Sequence, residues 1–329
     1  MRILLVSSGS WARPSFGYRM KAALERLGHE VIPFNQRALQ LHRFPAGRAF
    51  LGRHLLALAR RKQPDVLLVD KGESIPPGTV TAIGKEGIKT ACWMLDDPFG
   101  TDNSMNALSN IAEYDGFFCF DSTYLPELKK INPGSYFLPC AVDPSMHREI
   151  IPERERAEKY DISFIGSHYP NRQEFLTRLA DLPLNIWGYR WKEKTQGTPL
   201  APRVHAEVYR QDKRENDLRA TCRLFNETKI NLNVHFTHSK RSPNLRAFEI
   251  PATKSFELCD YLPDLEQLFV IGKEIAVYRS ADDCRRRIRY YLDHPDERRK
   301  IARAGYKRVL AEHTFDHRMR TLLSTLKKR

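Results

Sequence analysis

The sequence predicts an α/β fold made of two Rossmann-like domains, and three observations carry that prediction. Apolar runs of strand length alternate with amphipathic helical stretches. The alternation lapses once and then restarts. The 329 residues also suit two domains of about 150 each, since single hydrophobic cores stop growing near about 250–300 residues. Strands that read as continuous apolar runs between such helices indicate parallel sheets covered on both faces.

Taken in order, RILLVS at residues 2 to 7 reads as a strand ending in Ser7-Ser8-Gly9-Ser10. A helix follows, with Phe16, Met20, Leu24 and Leu27 near 3.6 spacing before Gly28. The unit repeats through VIPF, a helix with Phe50, Leu51, Leu55 and Leu58, the run DVLLVD, a helix after Pro76-Pro77, and TACWML. GFFCFD, a short helix through Leu125 and Leu128, and SYFLPCAVD complete the first domain, expected over residues 1–150. Residues around 144–160, the stretch PSMHREIIPERERAEKYD, are polar without a core face and read as a linker. DISFIGS then restarts the plan, with NRQEFLTRLADL as helix and NIWGY as strand. A polar insertion near 192–218 precedes KINLNV, KSFELCD, EIAVY and the basic helices. Phe315, Met319, Leu322, Leu323 and Leu326 recur at helical spacing and need a core.

Composition narrows the partners. The chain is 41% hydrophobic and 29% charged, with no apolar run of the roughly 18 residues that a spanning helix needs. MRILLVSSGS is too short and too soon polar for a secretory signal, and six scattered cysteines without CxxC spacing suit buried thiols in a reducing cytoplasm. A cytoplasmic protein, with a peripheral position at the inner membrane surface as a further expectation, follows. The net charge is +14, and residues 285–329 hold 15 Lys and Arg against 5 Asp and Glu. So basic an end suits an anionic partner, whether acidic substrate, anionic membrane or nucleic acid, or else forms a solvated helix face.

Open parallel sheets bind ligands at the carboxyl ends of their strands. Gly9 and Gly166 follow strands there and would let backbone NH groups approach a phosphate. Neither loop is a full GxGxxG or GxxxxGK[ST], which argues against a dinucleotide dehydrogenase or P-loop NTPase. In RSPNLRAFEIPATKSFELCD, Arg246 and Glu249 sit three apart among Leu245, Ala247, Phe248 and Ile250. Burying both charges costs several kcal/mol of hydration per ion, so a ligand-binding pair competes with a plain exposed i,i+3 pair. Asp96 and Asp97 follow the strand in WMLDDP; either could take a proton from an acceptor hydroxyl, and either could cap the turn before Pro98. His235, His238, His313 and His317 form no metal pattern, and no metal site is expected.

KINLNVHF, NLRAFEIPAT, LEQLFVIGKEIAVYRS and IRYYLDHPDERRKIARAGYKRVLAEHTFDHRM together resemble the CgeB-like proteins, a group of GT-B glycosyltransferases. CWMLDDP, FCFDSTYLPELKK, YFLPCAVDP and YDISFIGSHYPNRQEFL extend the resemblance over most of the chain. It implies two Rossmann-like domains facing across a cleft: an acceptor-side domain over 1–150, a nucleotide-sugar donor domain over 151–310, and a helix at 311–329 crossing back to the first. It also implies an enzyme that moves a sugar from a nucleoside-diphosphate donor to a hydroxyl on a glycan, lipid-linked, protein or small-molecule acceptor. No cofactor is implied beyond the nucleotide-sugar co-substrate. Glu249 would hold the donor ribose and Arg246 the diphosphate, with Gly166, Ser167, Arg172, Gly188, Lys229 and Asn244 on the donor side. Gly9, Ser10 and Asp96 would lie on the acceptor side, with Asp97 as base. Two departures stand out. Arg241 occupies the place of a first glutamate eight positions before Glu249, and Lys254 stands where a small residue, commonly glycine, is usual; its side chain would crowd the donor phosphates or add charge to them. A basic nucleic-acid-binding or nucleic-acid-modifying protein and a catalytically inactive GT-B scaffold are the alternatives.

Overall fold

The computed structural model describes residues 1–8, 11, 15–37, 44–100, 105–205 and 214–328. They fall into two compact units, Met1–Cys140 with Phe315–Arg329, and Ala141–Thr314. Gly9 and Ser10 lie outside the described residues, as do 206–213 of the polar insertion. Among the described residues no helix is long and apolar enough to cross a membrane. All six cysteines are buried thiols outside any disulfide.

The first unit is a six-stranded parallel sheet of β1 (Arg2–Ser7), β2 (Glu30–Asn35), β3 (Val66–Asp70), β4 (Lys89–Met94), β5 (Gly116–Cys119) and β6 (Ser135–Phe137). Its order, β2-β1-β3-β4-β5-β6, sends the chain from β1 to one side and back to the other, which makes the β1/β3 boundary a topological switch point. Every residue of β3 is buried, as its continuous apolar run requires. Ser15 starts the first helix, Phe16–Arg26, by accepting from Tyr18 N at 3.3 Å. The last helix, Phe315–Lys327, completes this unit's core. Phe315 packs edge-on to Phe16 and Trp93, with ring centroids 5.1 and 5.7 Å away, and Arg318 Nε donates to Pro139 O at 2.9 Å. Met319, Leu322, Leu323 and Leu326 are buried on the same face.

The second unit repeats the plan with β7 (Tyr160–Ile165), β8 (Leu184–Trp187), β9 (Thr228–Asn233), β10 (Glu257–Asp260) and β11 (Ala276–Tyr278), all parallel. The order β11-β10-β9-β7-β8 puts its switch point between β7 and β9. Phe164, Leu176, Leu232, Leu258, Tyr278 and Ile288 belong to its core. The basic helices Ala281–Asp293 and Pro295–Glu312 pair many of their cations inside this unit: Arg287 with Asp283 at 3.1 Å, Arg298 with Glu158 at 3.3 Å, and Arg303 with Glu153 at 2.8 Å.

Pro251 sits in the last turn of the helix Arg246–Ala252, which then tightens as Thr253 N donates to Ile250 O at 3.0 Å. One expectation needs adjustment. The stretch read as a linker without a core face contains His147, only 1% exposed.

Candidate functional site

The carboxyl ends of β7 and β9 bring together most of the donor-side residues expected from the sequence. Arg246, the first residue of its helix, reaches back to the end of β7, where Nε donates to Ile165 O at 3.1 Å. Its guanidinium lies 5.5 Å from the Phe225 ring centroid and pairs through Nη1 with Glu249 Oε2. This is no exposed-face pair. The Glu249 side chain is 4% exposed, and its other oxygen, Oε1, lies 3.2 Å from His147 Nε2. An arginine and a histidine therefore flank one buried carboxylate. The histidine is 102 positions upstream of Glu249, and spacing rules carry no signal over such a separation.

Asn244 caps this assembly. Its Oδ1 accepts from Arg246 N at 2.9 Å, and it exchanges two side-chain hydrogen bonds with Asn233, the last residue of β9, at 3.0 and 3.1 Å. Asn233 also donates to Glu257 Oε1 at 2.9 Å. Glu257 is buried, and loss of hydration pushes its carboxyl up to about 8 despite the hydrogen bond from Asn233.

The glycine loops meet closely. A Cβ at Gly188, whose φ is +144°, would fall 1.9 Å from Gly166 O, so this position is closed to any side chain. Trp191 Nε1 donates to the same carbonyl at 2.7 Å. Arg172 does not extend freely from the loop. Nε donates to Val234 O at 2.8 Å and Nη1 to Ser167 O at 3.0 Å, stapling the Gly166-Ser167 loop to the end of β9. Phe164 and Tyr169 flank it, and burial pulls the guanidinium down to about 10.

Lys229 is not at this edge. It is the second residue of β9, at the amino end of the sheet, and pairs with Asp161 at 2.7 Å. Four strand positions separate it from Asn233, about 13 Å along the strand. Lys254 also turns elsewhere. It holds a left-handed φ of 54°, which explains why a glycine would suit the position, and its Nζ pairs with Glu149 Oε2 at 2.7 Å instead of projecting toward Arg246. Arg241 lies 3.6 Å from Asp264.

Among the described residues one group has metal-ligand chemistry: His235, Cys259 and Asp260, with candidate atoms within 4.8 Å of one another. His235 Nδ1 and its backbone N both bond to Asp260.

In the first unit, Asp96 pairs with Lys71, which holds a left-handed φ of 63°. Asp97 Oδ1 accepts from Phe99 N at 2.9 Å, the capping geometry expected of an aspartate before Pro98, and Tyr124 bonds to it from the side. The sequence reading missed Asp70. It ends β3 at the switch point, takes a 2.7 Å bond from Ser7 Oγ and is pushed up to about 6 by burial. Its position at the end of DVLLVD, across from Ser7 at the end of RILLVS, was an available signal.

The comparisons with known proteins agree with this architecture. A family model described as glycosyl transferase-like matches residues 171–324. Spore protein CgeB of Bacillus subtilis (strain 168) is 25% identical over 274 residues, which is 77% of this chain and 80% of that protein. Sucrose-phosphate synthase (tll1590) from Thermosynechococcus elongatus shares the fold with a TM-score of 0.72 at 13% identity, over 99% of each chain. A glycosyltransferase from Rickettsia africae ESF-5 gives 0.67 at 12% over 99% of this chain and 98% of its own. Anabaena Alr3699/HepE, solved with UDP, gives 0.65 at 12% over the whole of both chains. The glycosyl transferase-like match spans Arg246 and Glu249, the similarity to CgeB covers 77% of the chain, and the solved structures share its architecture: the chain has the GT-B fold and is similar to CgeB-like glycosyltransferases.

Proposed function

We propose that the second unit binds a nucleoside-diphosphate sugar at the carboxyl ends of β7 and β9, and that its sugar is transferred to a hydroxyl-bearing acceptor. Arg246 carries this reading: a guanidinium held at a strand end by Ile165 O, inside the residues matched by the glycosyl transferase-like model. In the transfer the acceptor oxygen bonds to the anomeric carbon while the bond from that carbon to the diphosphate oxygen breaks. The electron pair leaves with the phosphate. Negative charge thus grows on the leaving group, where a preorganised guanidinium stabilises it most.

Glu249 is assigned the ribose hydroxyls, which compete with His147 for Oε1. The Gly166-Ser167 backbone, kept in place by Arg172, serves the phosphates alongside Arg246. Asp97 is assigned the acceptor's proton. UDP is the first nucleotide to test, because Anabaena HepE is solved with UDP and with UDP-glucose.

Calorimetric titration with uridine, UMP and UDP, and then with the guanosine and adenosine series, tests the donor site. Arg246→Ala should cost the diphosphate about tenfold in affinity while sparing the nucleoside, whereas Glu249→Ala should weaken every member by about 1–3 kcal/mol. Asp97→Asn should lower turnover by about 100-fold or more at unchanged nucleotide affinity, and full turnover would leave Asp97 with its capping role alone. A wild-type protein that binds no nucleotide and hydrolyses no sugar nucleotide overturns the whole reading.

A further inference from the structure

A chain of buried and half-buried polar groups leads from the sheet to Arg246, and the assignments above do not use its far end. It starts at Glu257, the first residue of β10, only 2% exposed. Asn233 Nδ2 donates to Glu257 Oε1 at 2.9 Å and to Asn244 Oδ1 at 3.1 Å. Asn244 Nδ2 donates back to Asn233 Oδ1 at 3.0 Å, and Asn244 Oδ1 receives Arg246 N at 2.9 Å. Tyr278 Oη, from β11, fixes the backbone of the same asparagine by donating to Asn233 O at 2.9 Å.

The order of donors and acceptors matters because an amide has two unlike ends. Glu257 Oε1 is an acceptor and turns the Asn233 amide so that its NH2 faces β10. The Asn233 carbonyl then has to meet the NH2 of Asn244. That in turn leaves the Asn244 carbonyl where Arg246 N needs it. Reversing either amide would set donor against donor or acceptor against acceptor in a buried site, where each unmade bond is costly. Burial also keeps Glu257 in its neutral form at neutral pH, so it supplies an acceptor without adding a second negative charge beside Arg246.

We propose that Glu257 and Asn233 are positioning residues for the diphosphate site, fixing the Asn244 amide and through it the start of the helix that carries Arg246 and Glu249. The inference rests on the donor-site reading above and extends it two side chains inward. Neither residue touches the ligand. Their effect passes to the phosphates through Asn244 and Arg246, so diphosphate binding should suffer and nucleoside binding should not.

The test compares UDP with uridine, and GDP and ADP with their nucleosides, on the full chain by calorimetry, with folding checked by thermal melting. Glu257→Leu removes the acceptor, and Asn233→Asp removes the NH2 that reaches both Glu257 and Asn244. Each should lower the diphosphate-to-nucleoside affinity ratio by about tenfold. Glu257→Gln keeps a carbonyl acceptor and should restore the ratio to within about threefold of wild type. Should Glu257→Leu fail to fold, Asn233→Asp against Glu257→Gln decides the matter alone. A lower melting temperature with an unchanged ratio in Asn233→Asp reduces the chain to a structural support and overturns the proposal. A wild-type protein with no preference for any diphosphate overturns the donor-site reading instead, and this assignment falls with it.

Discussion

Each unit buries an acid in its parallel sheet, Asp70 at the end of β3 and Glu257 at the start of β10, and the two acids differ in what surrounds them. Asp70 in the first unit has a hydroxyl donor, Ser7, and the Lys71 ammonium, both favouring the ionised form; these hold the effect of burial to a rise to about 6. Glu257 in the second unit has the neutral donors Asn233 and Cys259, while Asp260 opposes ionisation and Arg246 favours it; the carboxyl rises to about 8. Equal burial therefore does not give equal chemistry. An ammonium beside one buried acid leaves it poised below neutrality, whereas burial among neutral donors keeps the other protonated through it.

The largest expected effect breaks the comparison by removing one side. Truncation after Thr314 deletes Phe315, Met319, Leu322, Leu323 and Leu326 from the first unit's core. Five buried apolar side chains at about 1.5–3 kcal/mol each approach the stability of a whole domain. Hydrogen exchange should show β1 and β3–β5 losing protection, and full retention there would refute the role given to the last helix.

Next comes pH. Both acids have folded values above their unfolded ones, so the folded state holds the extra proton and stability falls as pH rises. For Asp70 the loss runs from about 3.8 to about 6, and for Glu257 from about 4.5 to about 8. These intervals correspond to at most about 3 and about 5 kcal/mol respectively. Glu257→Gln should remove the decline between pH 6 and 8 and lessen it between about 4.5 and 6, and Asp70→Asn should lessen only the decline below about 6. Denaturant melts across that range decide it, and identical slopes in wild type and both variants would refute the assignment.

Glycine contacts come third. Gly188→Ala places a methyl on Gly166 O, a backbone atom that cannot rotate away, and should cost about 3 kcal/mol or more. Gly17→Ala in the first unit meets Ser7 Oγ at 2.3 Å, and the hydroxyl lost from Asp70 adds to its cost. The thermal melts of the two variants should differ in one respect: only Gly17→Ala should alter the pH dependence below 6.

The smallest effect is expected at Lys254. Glycine would relieve a left-handed backbone by about 1 kcal/mol and remove a partly exposed pair with Glu149 worth about as much, so Lys254→Gly should be nearly neutral. Nucleotide affinity should not change. A large gain or loss in UDP binding would show that the lysine reaches the donor after all.

The carboxyl edge of the second sheet was legible where its residues are neighbours in sequence. Arg246, Glu249 and Asn244 share one short motif, and Gly166 and Gly188 each follow an apolar run. Lys229 was misplaced although the sequence held the clue, since it stands first in KINLNV and a strand's start faces away from its binding edge. Arg172 was rightly placed beside the loop, but not its use, because hydrogen bonds to Val234 O and Ser167 O depend on where β9 ends in space.

Taken alone, the sequence determined two parallel sheets, their strands and the helices between them, because burying both faces of a strand demands an unbroken apolar run and covering it demands a one-sided helix. Only the tertiary structure decided that His147 meets Glu249, that Glu257 orders Asn233 and Asn244, and that Lys254 turns to Glu149. Apolar burial repeats along the chain with a period that can be read. A polar contact is a single meeting of two atoms whose positions depend on every element folded between them.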